Sequence, residues 1–163
     1  MQKKFFLLSF LTLLLSVSLE AHNTPQTIIP TKHNKNLTLK TLAEIQPGLG
    51  TIMIEFGHRF YITYYAAKAQ NWELAKYQLH ELIEAQEVAE ATRPKYQKQL
   101  KEFEDNFLEK LSHSIENKNI KNFEKEYTKT TNACNACHTK NGHPYIQYKL
   151  PTQPPLYLNM NIK

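Results

Sequence analysis

Two thiols and an imidazole stand together at Cys134-Asn135-Ala136-Cys137-His138. Residues three apart on a helix lie on one side of it, so both sulfurs can meet a ligand approaching that face. The Cys-x-x-Cys-His arrangement fits covalent attachment of one haem c. Cys134 and Cys137 would add to the two haem vinyl groups, and His138 would turn its imidazole to the iron as the proximal ligand. Other uses of the pair have their own requirements. A thioredoxin-like redox couple needs a βαβ setting, and a zinc site needs two more suitably placed ligands. With only 2 cysteines, a multi-bridge disulfide scaffold is out of reach.

Such a site needs stiff elements beneath it, and the apolar spacing supplies helices. Leu49, Met53, Phe56, Phe60, Thr63 and Ala67 recur at intervals of four and three, predicting a first helix over 49–69. Asn71 is a good N-cap for a second, with Glu73 where the helix dipole favours an anion. Its stripe is Ala75, Leu79, Leu82, Gln86 and Ala89. Pro94 ends that helix and opens a third, because a first-turn residue has no use for its amide hydrogen. Tyr96, Leu100, Phe103, Phe107, Leu111 and Ile115 carry the third stripe, and Asn117 to Asn119 form a turn. Ile120, Phe123, Tyr127, Thr130, Cys134 and Cys137 carry the fourth, with Gly142 as a left-handed terminator.

Short connections between four amphipathic helices predict an all-α fold, an antiparallel four-helix bundle over 45–142 with the haem motif in its last helix. Residues 22–44, with Pro25 and Pro30, read as a polar N-terminal arm. The tail over 143–163 holds Pro144, Pro151, Pro154 and Pro155 among tyrosines and leucines. It cannot be one regular helix, and its apolar content predicts extended segments packed back on the bundle.

The amino terminus reads as an export signal: Lys3 and Lys4, an apolar run from Phe5 to Val17, then Ser18 and Ala21. Cleavage after Ala21 is preferred, with Ser18 the other option, leaving a periplasmic protein without a membrane span. An uncleaved anchor is the competing reading. The 163 residues carry 20 Lys+Arg against 15 Asp+Glu, a net charge of +5. That excess is too diffuse for nucleic-acid binding and suits acidic partner proteins or an anionic cofactor. With 4 glycines, neither a sheet-rich fold nor a glycine-rich phosphate loop is expected, and no catalytic triad or carboxylate pair argues for an enzyme.

From the Cys134 to His138 motif, its C-terminal placement and the helix count, the chain resembles the class II c-type cytochromes, the cytochrome c′ and cytochrome c-556 group. The resemblance covers Leu49 to Gly142. Glu55-Phe56-Gly57-His58-Arg59 and Asn71-Trp72-Glu73-Leu74-Ala75 also look like recurring pieces of small exported bacterial cytochromes. The group often carries a basic residue four positions after the haem histidine, where this chain has Gly142, and the proline-rich tail is not part of the usual bundle. The resemblance implies that the first helix lies over the distal haem face and that homodimers form through the first two helices.

The occupant of the sixth iron position separates electron transfer from gas binding. Met53 lies on the apolar stripe near the start of the first helix and is the distal candidate, or else a plain core methionine. His58, five residues on and about 140° around the helix, is the alternative ligand. If neither binds, Leu49, Ile52 and Phe56 form an apolar distal pocket. Met160 in the tail is a further thioether. Arg59 and Arg93 are candidate partners of the haem propionates, since a guanidinium matches a carboxylate bidentately. Lys118, Lys121, Lys125 and Lys129 would steer an acidic redox partner, or simply form a solvated face. The expected function is single-electron transfer by a periplasmic monohaem cytochrome; the alternative is haem-based binding or sensing of nitric oxide or carbon monoxide.

Overall fold

The computed structural model describes residues 27–32 and 36–162. The signal sequence read over 1–21, its cleavage point, His22 and His33 lie outside the described residues. The chain divides after Ile45 into two compact units. In the first, β1 (Ile28–Ile29) pairs antiparallel with β2 (Leu37–Thr38), Ile28 opposite Thr38 and Ile29 opposite Leu37. The short helix α1 (Leu39–Glu44) follows, and the Thr38 hydroxyl accepts the Thr41 amide at 3.0 Å as its N-cap. Sequence reading leaves this ribbon as an arm, because strands of two residues are too short for alternation to show.

The second unit is helical: α2 (Leu49–Lys68), α3 (Trp72–Thr92), α4 (Pro94–Phe103), a π-helical turn (Glu104–Leu108), α5 (Glu109–Glu116) and α6 (Ile120–Lys140). The α4 helix, the π turn and α5 run on as one rod, so four rods pack together. Their directions follow from side-chain pairings. Arg59 in the middle of α2 meets Gln78 and Glu81 in the middle of α3. Lys68 at the end of α2 pairs with Glu124 near the start of α6, and Gln99 early in the third rod meets Asn141 just past the end of α6. α6 therefore runs antiparallel to α2 and to the third rod. Among the described residues, no helix is long and apolar enough to cross a membrane.

The boundaries have local causes. The Asn71 and Asn119 side chains accept the amides of Leu74 and Asn122, capping α3 and α6. Three helices end in the same double hydrogen bond with a left-handed residue after the cap. After α6 that residue is Gly142, φ 85°, with Gly142 N donating to Thr139 O and His143 N to His138 O. After α2 and α5 it is Gln70 (φ 58°) and Lys118 (φ 51°), side chains in a conformation that crowds Cβ. The next residue in each case is the capping asparagine, so one Asn closes a helix and opens another.

Phe60, Leu82, Leu108, Leu111 and Phe123 are fully buried and fill the centre, with Phe60 stacked on Tyr127 at 4.0 Å between ring centroids. Each such side chain stabilises the fold by about 1.5–3 kcal/mol through the apolar area removed from water. The third stripe differs from the four-and-three reading: Leu108 is fully buried and Phe107 only partly so. The cause is the π turn, whose Glu109 amide reaches the Glu104 carbonyl five residues back and rotates the stripe by one position. The Asn106 carboxamide donates to the Glu102 carbonyl inside the widened turn.

The tail packs on the rods through its backbone carbonyls. Tyr61 and Tyr65 donate to the carbonyls of Gln153 and Pro151 at 2.6 and 2.8 Å, and the Asn71 carboxamide donates to that of Met160. Met160 itself is buried in the main core.

Candidate functional site

Both thiols and the imidazole are carried on the last two turns of α6. Phe123, Tyr127 and Thr130 bury the inward line of this helix, and Cys134 continues it, packed against the main core. Burial pushes the Cys134 thiol up to about 12, with the neighbouring Cys137 adding to the rise. A thiol so held is protonated at neutral pH, unlike the low-pKa cysteine of an exchange couple. Cys137, one turn on, receives the Asn141 carboxamide on its sulfur at 3.4 Å. The same carboxamide donates to the Cys137 carbonyl and to Gln99 Oε1, which ties the helix end to the third rod. Both cysteines are free thiols.

His138 follows directly. Its Nδ1 lies 2.9 Å from the carbonyl oxygen of Ile146. A carbonyl only accepts, so Nδ1 carries a hydrogen; in the neutral ring that leaves Nε2 as the bare nitrogen, the form in which imidazole ligates a metal. Asn135, inside the motif, binds the tail: the Tyr148 amide donates to Oδ1 at 2.7 Å, and Nδ2 donates to the Tyr148 carbonyl at 3.1 Å. Sequence reading found the motif and missed this pairing, because an Asn between two cysteines has no distinguishing period.

The other candidates are distributed as follows. Met53 is partly buried and packs against both the main core and a smaller cluster of Ile52, Ala89 and Leu100. The antiparallel order puts that cluster at the end of the rods where α6 terminates. His58 is hydrogen-bonded through Nε2 to the Tyr157 hydroxyl of the tail, with the two rings edge to face. Arg59 spends its guanidinium on Glu55 (2.7 Å), Glu81 (3.5 Å) and Gln78. Arg93 sits at the joint of α3 and α4 and donates to the carbonyls of Thr92, Gln46 and Pro47. Of the two arginines, Arg93 is at the motif end. Leu49 and Ile52 belong to the smaller cluster, and Phe56 to the main core.

His80 and His113 are exposed and pair with Glu84 and Glu116 on their own helices. Lys118, Lys121, Lys125 and Lys129 are all exposed; Lys129 holds Glu126 at 2.8 Å. Among the described residues, no three His, Cys, Asp or Glu side chains converge as a metal-ion cage. No protein-family profile, curated protein or solved structure matches the chain.

Proposed function

We propose that the chain is a periplasmic monohaem c-type cytochrome, an antiparallel four-helix bundle that transfers single electrons. The observation that carries this reading is the state of His138 beside the two thiols. A metal-ligating imidazole characteristically donates its other ring hydrogen to a carbonyl or carboxylate, and here the Ile146 carbonyl receives it. The donor set fits the group: two free thiols one helical turn apart, and on the next residue an imidazole whose Nδ1 faces a carbonyl and whose Nε2 takes no part in that bond. Cys134 and Cys137 would hold the porphyrin edge and His138 the iron. Haem bound there would supply one-electron exchange at the iron.

Met53 is the proposed distal ligand, with His58 as the alternative. His58 would first have to release Tyr157, whereas Met53 presents a thioether with no hydrogen bond to break. Arg93 is better placed than Arg59 to meet a propionate, since Arg59 is already neutralised by two carboxylates. The exposed lysines of α6 would face partner proteins with acidic surfaces.

The test is mass spectrometry and optical spectroscopy of protein matured in a host competent for haem attachment. One covalently bound haem is expected, with a low-spin spectrum whose methionine-to-iron band disappears in Met53→Ala. A denatured mass equal to the bare polypeptide removes the reading. A high-spin ferrous protein that takes up nitric oxide or carbon monoxide moves it to gas binding.

A further inference from the structure

Asn135, inside the motif, ties the tail to α6. Asn135 lies one residue past Cys134 and two before Cys137, so it is turned about 100° and 200° from them around α6. That directs it off the thiol face. Its carboxamide takes both backbone groups of Tyr148, the donor at 2.7 Å and the acceptor at 3.1 Å, as a rung of antiparallel sheet would.

Three residues on along the helix, His138 occupies nearly the same side, and two residues back along the tail the Ile146 carbonyl meets it. Helix and tail therefore run in opposite directions with two matched contacts.

The tail segment is held from three further directions. The Tyr148 hydroxyl meets that of Tyr127 at 2.8 Å, and Tyr127 also donates to the Phe60 carbonyl at 3.2 Å. The Tyr148 ring lies 5.3 Å from Phe60 between centroids, and its edge is in ordinary contact with the position a side chain would take at Gly57. At the other end, the terminator at Gly142 and the Ile146 amide on the His143 carbonyl close the intervening loop. The Ile146 carbonyl is thus aimed at His138 by a frame closed on both sides.

We infer that Asn135 is a positioning residue. By pinning Tyr148 it holds the Ile146 carbonyl on His138 Nδ1, fixes the imidazole in the Nδ1–H tautomer and so presents Nε2 to the iron. The iron part of this inference rests on the haem reading above; the tautomer part does not. A neutral histidine side chain in water favours the opposite tautomer, so loss of the clamp has a readable direction. With iron bound, an imidazole that donates to a carbonyl is the more basic ligand and favours the oxidised metal.

The experiment uses the full chain in two forms. In the apoprotein, with thiols reduced and the imidazole neutral, nitrogen NMR of 15N-histidine reads the tautomer of His138. The wild type is expected to be mainly Nδ1–H. Asn135→Leu is expected to be mainly Nε2–H, and Asn135→Asp, which keeps the acceptor for the Tyr148 amide, to fall between. Tyr148→Phe removes only the hydroxyl contact and is expected to lower stability with the tautomer kept, which separates positioning from general support. In the haem-loaded protein, Asn135→Leu is expected to shift the oxidised-to-reduced ratio about tenfold towards reduced, a rise of about 59 mV for one electron.

A wild type that is mainly Nε2–H, or a folded Asn135→Leu with the wild-type tautomer, overturns the inference. If Asn135→Leu does not fold, an unchanged tautomer in Asn135→Asp does so. Absence of haem from matured wild type strikes the cytochrome reading and leaves the tautomer result to decide the clamp. Loaded proteins with equal potentials overturn the iron part alone.

Discussion

Cys134 holds its proton up to about pH 12 because its sulfur is set against the core, and Tyr148 is pushed up to about 12 and Tyr127 in the same direction, mainly by burial. In the unfolded chain a cysteine ionises near pH 8.5 and a tyrosine near 10. All three groups are acids whose folded pKa lies above the unfolded one. Their contribution to stability is complete below the unfolded pKa and is lost as the pH rises towards the folded one. Between about pH 9 and 12 the unfolded state thus sheds protons that the fold retains, and each such group removes up to about 1.4 kcal/mol per pH unit. Urea titrations of the apoprotein are expected to show a midpoint that falls from about pH 9 with an unchanged slope, and Cys134→Ala is expected to delay the fall to about pH 10. A midpoint constant from 8 to 10.5 contradicts this account. In the folded apoprotein at neutral pH, alkylation at Cys134 is expected to be slow, with unfolding in urea restoring the rate of a free thiol.

At the scale of elements, the helix ends carry the sharper lesson. Gln70 and Lys118 take left-handed backbone that glycine adopts without strain. Lys118→Gly and Gln70→Gly are each expected to stabilise the protein by about 0.5–1 kcal/mol, read as a raised urea midpoint. Asn119→Ala removes the cap of α6 and is expected to cost about 1 kcal/mol. Much of this layer was legible beforehand, because caps and breakers act on their immediate neighbours: Asn71, Pro94, the 117–119 turn and Gly142 all mark real boundaries. The π turn was not legible. Phe103 and Leu108 are five apart, an interval that a four-and-three search skips, so such a search gives Phe107 the place that Leu108 takes. The motif itself was plain from its spacing. Its clamp was hidden, as was the hold of Tyr157 on His58, since both depend on partners that packing brings near and no local pattern announces.

The whole second unit is four rods plus a strap, and the strap covers part of the core. A chain ending at Gly142 exposes the Phe60 face under Tyr148 and vacates the site of Met160. Loss of two large packed side chains is expected to cost about 3–5 kcal/mol, seen as a lower melting temperature by circular dichroism with most helical signal retained. An unchanged melting temperature would mean that the strap is decoration. The strap also has a place in time. The rods form from near neighbours, whereas the tail's bonds to Tyr65, Asn71, Tyr61 and His58 join residues 86 to 99 positions apart. Contacts that close such long loops come late in folding, after the helices they rest on exist. The carbonyl that meets His138 belongs to the other class: it lies 8 residues from the ring, and Tyr148 lies 13 from Asn135, so these contacts close short loops and form early, with the end of α6. The strap thus joins the bundle in two stages: its first stretch is set beside α6 as that helix ends, and the stretch from Pro151 onward closes over α2 only once the rods are packed.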